Sequence, residues 1–175
     1  AVAIGIGSAQ TAQGLGAVAI GVAAGGGTQG ASAVAIGDSA GQTAQATLSV
    51  AIGPDACAST QATTAIAIGN TAGQTGQATG AIAIGNGAGS GTQAAASIAI
   101  GENAGRTGQL AGAVAIGQNA GDGTQAAGAV AIGQAAGQAT QGANSIAIGK
   151  SASRLFSADN SIEVEVCLSD RKIRM

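Results

Sequence analysis

Ala81-Ile82-Ala83-Ile84-Gly85 decides the fold, because its pattern recurs. Ala/Ser-Val/Ile-Ala-Ile-Gly begins at residues 1, 17, 33, 49, 65, 81, 97, 113, 129 and 145, every 16 residues without insertion or deletion. A degraded eleventh copy, Ser161-Ile162-Glu163-Val164-Glu165, keeps the register. A period this strict is the signature of stacked supersecondary units. The chain is therefore predicted to be all-β, a parallel β-solenoid of ten 16-residue coils over residues 1–160. Residues 161–175 are expected to add a degenerate capping strand and a polar tail.

Each coil has sixteen positions. Positions 1–4 place β-branched residues at alternate sites and read as a strand of period two, followed by Gly at position 5. Positions 6 and 7 are polar in pairs such as Asp38-Ser39, Asn70-Thr71 and Glu102-Asn103, and read as a turn. Position 8 is almost always Ala and position 9 mostly Gly. Positions 10–13 are predicted as a second strand, and positions 14–16 are small residues that close the coil. Helix is a poor alternative, since a Gly in every repeat costs a helix about 1 kcal/mol relative to Ala. Successive coils should pair in parallel at ~4.8 Å, giving a rod of roughly 48 Å.

The first strand has no polar face. One side is Ala/Ser and Ala, the other Val/Ile and Ile. A coil of 16 residues has one narrow interior, which suits the Ala side opposite the position 8 Ala. The Val/Ile side is then expected to point outward as a long apolar stripe that includes Ile68, Ile84, Ile100, Ile116, Ile132 and Ile148. A soluble monomer rarely exposes such a stripe, so it is read as an oligomer interface.

Gln holds position 13 in nine consecutive coils: Gln13, Gln29, Gln45, Gln61, Gln77, Gln93, Gln109, Gln125 and Gln141. Stacked in register, these amides are predicted to hydrogen-bond along the rod as a structural ladder, with a ligand-binding row as the alternative. Thr alternates between position 11 (Thr11, Thr43, Thr75, Thr107) and position 12 (Thr28, Thr60, Thr92, Thr124), until Thr140 repeats position 12. Coil 10 loses this pattern and gains Arg154, Leu155 and Phe156. In the next register Glu163 and Glu165 replace Ala and Gly, as a charged cap that ends stacking should.

Composition narrows the function. The 175 residues include 32 Gly, one Phe and no Trp, Tyr or His, so any core is thin and built of Ala, Val and Ile. Such composition also suits low-complexity disorder, but a disordered linker has no reason to keep a 16-residue count. The net charge is -2, and residues 1–149 carry one cation, Arg106, and four anions, Asp38, Asp55, Glu102 and Asp122. With no basic stripe and no aromatic to stack a base, no nucleic-acid partner is expected. Cys57 and Cys167 lie far apart with no His near either, so no metal or cofactor is expected, and Cys57 reads as a small buried thiol. No apolar run is long enough to insert in a membrane. The chain opens at Ala1 inside a perfect repeat, which reads as a segment of a longer protein.

The repeated Ser/Ala-Val/Ile-Ala-Ile-Gly resembles the head repeats of YadA-like trimeric autotransporter adhesins. Ala-Ile-Ala-Ile-Gly-Asn-x-Ala-Gly at residues 65–73 and 81–89 also resembles repeats of phage and giant-virus fibre proteins. That resemblance implies a left-handed roll, a homotrimer, a place on the extracellular surface of a virion or cell, and adhesion to a host receptor or matrix. The adhesin repeats usually run nearer 14 or 15 residues and lack the Thr-x-Gln half, and their neck sequence is missing after residue 165. The virus-type repeats fit better.

The expected function is a structural and adhesive fibre segment without catalysis. Ice binding by a Thr-bearing face is the alternative. Against it, adjacent strand positions should point to opposite faces, leaving Thr on one face only every second coil, ~9.6 Å. An enzyme is not expected, since solenoid acyltransferases repeat in sixes and use a His, and no carboxylates cluster here outside the cap. Calcium-binding β-rolls need far more Asp than this chain holds.

Overall fold

A computed structural model describes residues 1–153 and 156–165. They form a parallel β-solenoid without helix, in which each 16-residue coil contributes one strand to each of two sheets. Three-residue strands at positions 2–4, such as Val18–Ile20 and Ile82–Ile84, stack into an eleven-stranded sheet. Two-residue strands at positions 12–13, such as Thr28–Gln29, stack into a ten-stranded sheet. Every rung pairs a residue with its equivalent 16 later: Ala83 with Ala99, Gln93 with Gln109. Register this uniform follows from the sequence period, since a one-residue slip would turn every core Ala outward.

The second strand is shorter than the predicted span of positions 10–13. Position 9 sits in the left-handed region, for example Gly105 at φ +55° and Gly121 at φ +53°. That bend carries positions 10 and 11 off the extended path, and ladder geometry resumes only at position 12.

The interior is one residue thick from each wall. In a typical coil Ala83 and Ala88 face each other and Gln93 reaches in from the short-strand side, all three buried. Nineteen buried residues at positions 3, 8 and 9, all Ala except Cys57, form one continuous apolar column. The Val/Ile side of the long strand points outward, so the sheet packs its small face inward and leaves its branched face uncovered.

Close stacking explains two glycine columns. At position 5, Gly85 has φ +129°, and a Cβ there would lie 2.6 Å from the carbonyl oxygen of Gly101. At position 9, a Cβ on Gly105 would lie 2.6 Å from Cδ of Gln109, so a side chain there requires the ladder amide to shift, as it does beside Ala9 and Cys57. Left-handed backbone also recurs at positions 7 and 16, where non-glycine residues such as Asn103 and Asn144 are common. Thr64 (φ +58°) and Thr71 (φ +53°) are β-branched residues in that strained region.

The two-coil Thr alternation goes with glycine at position 11 in three coils. Position 11 is Gly27, Gly91 and Gly123 in coils whose Thr stands at position 12. A Cβ on Gly123 would lie 2.8 Å from the carbonyl oxygen of Ala139 in the following coil, and one on Gly91 would lie 2.7 Å from that of Arg106. Coils with Thr at position 11 thus alternate with coils that present no side chain there. Ser59 and Ala139 are exceptions at that position.

Candidate interaction surfaces

Three longitudinal columns follow from this geometry: the outer Val/Ile face, the inner glutamine ladder and the outer threonine column. The first is the outer face of the eleven-stranded sheet. Position 2 is Val or Ile and position 4 is Ile in all ten full coils, so two parallel ranks of branched side chains run the length of the rod. Neighbours above and below shield each other, leaving Ile68 and Ile84 half-buried, whereas Ile100, Ile116, Ile132 and Ile148 retain 36–39% exposure. In the first two coils Ile6 and Val22 at position 6 widen the stripe, and both are exposed. From Asp38 onward position 6 turns polar or is Pro54, and its rungs bond to each other: Gln118 Nε2 donates to Glu102 Oε2 (2.9 Å) and Gln134 Nε2 to Gln118 Oε1 (3.0 Å).

The glutamines lie inside the coil. Eight successive bonds of 2.7–3.3 Å run from the Nε2 of one Gln to the Oε1 of the next, Gln13 to Gln141. Each Nε2 also donates across its own coil to the position 2 carbonyl, as Gln61 does to Val50 O at 2.8 Å and Gln93 to Ile82 O at 3.2 Å. The amide therefore uses both N–H groups, one along the rod and one tying the short-strand wall to the long-strand wall. The eight glutamines from Gln29 to Gln141 are buried, so the column is a structural strut closed to ligands.

The threonines correct one expectation. Positions 11 and 12 do not face opposite sides, because position 11 lies outside the two-residue strand. All nine of Thr11, Thr28, Thr43, Thr60, Thr75, Thr92, Thr107, Thr124 and Thr140 are exposed. They place one exposed threonine in each of coils 1 to 9, as a column along the rod. Thr11, Thr43 and Thr75 donate to the position 10 carbonyl of the next coil at 2.8–3.1 Å. Between the threonines stand only Gly, Ala and Ser59, so nothing bulky or charged interrupts the column.

Cys57 occupies a position 9 site at φ +43°, fully buried, and burial pushes its thiol up to about 12. Such a thiol carries no thiolate at neutral pH and is not a nucleophile. In the cap, Ile162–Val164 pairs with Ile146–Ile148 and sets Glu163 opposite Ala147, both cap carboxylates being exposed. Arg106 Nε meets Asp122 Oδ1 at 2.8 Å in a surface ion pair. Among the described residues no group of three or more His, Cys, Asp or Glu could hold a metal ion. Cys167 and the charges of residues 166–175 lie outside the described residues, as do Arg154 and Leu155.

The chain matches no family model, no curated protein and no solved structure.

Proposed function

We propose that this chain is a rigid fibre segment whose Val/Ile face is buried against further copies of itself, with the polar sides left to adhere. The observation that carries the reading is the uncovered branched face of the eleven-stranded sheet, continuous over ten coils and free of charge. Fully burying an Ile or Val contributes roughly 1.5–3 kcal/mol. If about a third of that remains to be gained by some eighteen side chains of coils 2–10, the face is worth on the order of 10 kcal/mol per chain. That is comparable with the ~4–15 kcal/mol cost of association, so assembly is affordable and the lone rod is not its natural endpoint. Three copies around an axis, as in the adhesin-type repeats, is the stoichiometry adopted here, with a surface-exposed place on a virion or cell and a host receptor or matrix as the partner. Among the described residues there is no buried ionisable cluster and the interior is filled by Ala and Gln, which suits a passive spacer better than a catalyst.

Replacing Ile84, Ile100 and Ile116 together by Asp tests this. The variant should keep the β-sheet circular dichroism of the parent and sediment as a single chain. An unchanged sedimentation coefficient would defeat the proposal.

The exposed threonine column supports a second reading, ice binding, because it exposes one threonine at each ~4.8 Å step over nine coils. A freezing-point gap that disappears in Thr60→Tyr/Thr92→Tyr would favour it, and no gap in the parent would retire it.

A further inference from the structure

Coil 10 ends the glutamine ladder with a specific exchange of residues. Position 13 is Ser157 in place of Gln, and position 9 is Ser153 in place of the usual Gly. Coil 7 is the fair comparison, because Ser97 and Ser145 hold the same site. Their hydroxyls donate to Ala94 O and Gly142 O, each at 2.9 Å. Against the Gly105–Gln109 pair of coil 7, the Ser153–Ser157 pair is one side-chain heavy atom smaller. A Cβ at position 9 is compatible with the ladder amide, as Ala9 with Gln13 and Cys57 with Gln61 show, so the loss of Gln at position 13 is what sets coil 10 apart.

The hydrogen-bond inventory of this level is incomplete in one place. Ser157 Oγ donates to Ser145 Oγ at 3.0 Å and accepts from the Gly142 amide at 3.3 Å. Ser153 Oγ is buried with no partner among the described residues. Gln141 Nε2 has two N–H groups. One reaches Val130 O at 3.2 Å. In the eight coils before it the other reaches the next Oε1, an acceptor that Ser157 cannot supply. Gln141 is fully buried, so bulk water does not reach that N–H. Two polar groups, one coil or ~4.8 Å apart along the stack, thus lie where the side chains hold one heavy atom fewer than in coil 7.

We propose that coil 10 binds one internal water molecule, which accepts from Gln141 Nε2, bonds to Ser153 Oγ and terminates the ladder. The second lone pair of Ser157 Oγ supplies a third partner, within the two to four that buried waters use. The chemistry selects water over an ion. A cation would be repelled by the Gln141 N–H, and an anion would be buried without a compensating charge. The bound water makes coil 10 a stop unit: a coil added below it would meet a satisfied hydroxyl cluster instead of an amide in ladder geometry. The assignment does not depend on what covers the Val/Ile face.

The test is a rotating-frame Overhauser measurement on the full chain, supported by a crystal structure resolving ordered solvent. The expected result is a water cross-peak to the Gln141 side-chain amide, absent for Gln125, with an ordered oxygen about 2.7–3.2 Å from both Gln141 Nε2 and Ser153 Oγ. In Ser153→Gly/Ser157→Gln the ladder should extend by one rung, the cross-peak should vanish, and the Gln141 amide shifts should move to those of Gln125. Direct bonding of Gln141 Nε2 to a protein acceptor, or an amide with no water beside it, would overturn the proposal. The wild-type measurement decides this even if the double variant does not fold.

Discussion

Gln93→Ala probes the buried strut in the middle of the rod. Gln93 Nε2 donates to Gln109 Oε1 at 2.8 Å and to Ile82 O at 3.2 Å, and its Oε1 accepts from Gln77 Nε2 at 2.8 Å. Truncation leaves the Gln77 N–H without its acceptor and the Gln109 oxygen without its donor, both buried. An orphaned buried group costs about 1–3 kcal/mol, so two contribute about 4 kcal/mol. The Ile82 carbonyl keeps its sheet bond and adds less, while loss of the amide also opens a void beside Gly89. Gln13→Ala is the internal control. Gln13 is half-buried at the end of the stack and is no other glutamine's acceptor, so its loss should cost about 1 kcal/mol. Urea unfolding of the two variants and the parent, followed by far-ultraviolet circular dichroism, gives both numbers. Amide hydrogen exchange should localise the Gln93→Ala defect to the coils around residue 93, since a solenoid couples mainly nearest neighbours. Equal destabilisation by the two variants would refute the claim that the ladder holds the walls together.

The remaining predictions concern the backbone and the thiol. Gly85→Ala should destabilise by about 3 kcal/mol or more, because φ is +129° and the new Cβ would sit 2.6 Å from Gly101 O. Gly80→Ala, at φ +68° with no atom within 4 Å of the new Cβ, should cost only about 1–2 kcal/mol; thermal melts of the pair check the ordering. Cys57 titrates at about 12 in the fold against 9.0 ordinarily, so the unfolded thiol ionises first and stability falls as pH rises from 9 towards 12. The full drop is roughly 4 kcal/mol at 1.36 kcal/mol per pKa unit, and a parent-minus-Cys57→Ala comparison of urea midpoints across that window should isolate it. At neutral pH, native Cys57 should resist iodoacetamide until the chain is unfolded, which mass spectrometry of the alkylated chain reads directly.

The period and the five-residue motif carried most of the fold, because 16-residue spacing and an Ala/Ile alternation leave only one side of each strand small enough for so thin an interior. Ala83 and Ala88 inside, with Ile82 and Ile84 outside, follow from size alone. The glutamine stack was legible as a column, but its cross-coil bond to the position 2 carbonyl was not. That bond depends on Gln93 pointing inward across the coil, which a sequence of two-residue strands does not reveal. The threonines misled for a related reason. Alternation of faces holds within a strand, and Thr11 and Thr43 lie just before one. The contact between position 9 and the position 13 amide was also hidden, since two residues four apart show no contact until the amide of Gln109 is seen against the missing Cβ of Gly105. Coil 10 departs at both positions, with Ser153 and Ser157.

The most direct test of the central claim is the solution mass of the wild-type chain by light scattering over a range of concentrations. The chain weighs 16.0 kDa, so burial of the Val/Ile face by three copies predicts three times that, about 48 kDa, stable on dilution. A clean 16.0 kDa species at every concentration would contradict it, showing that the branched face tolerates water and that the rod stands alone.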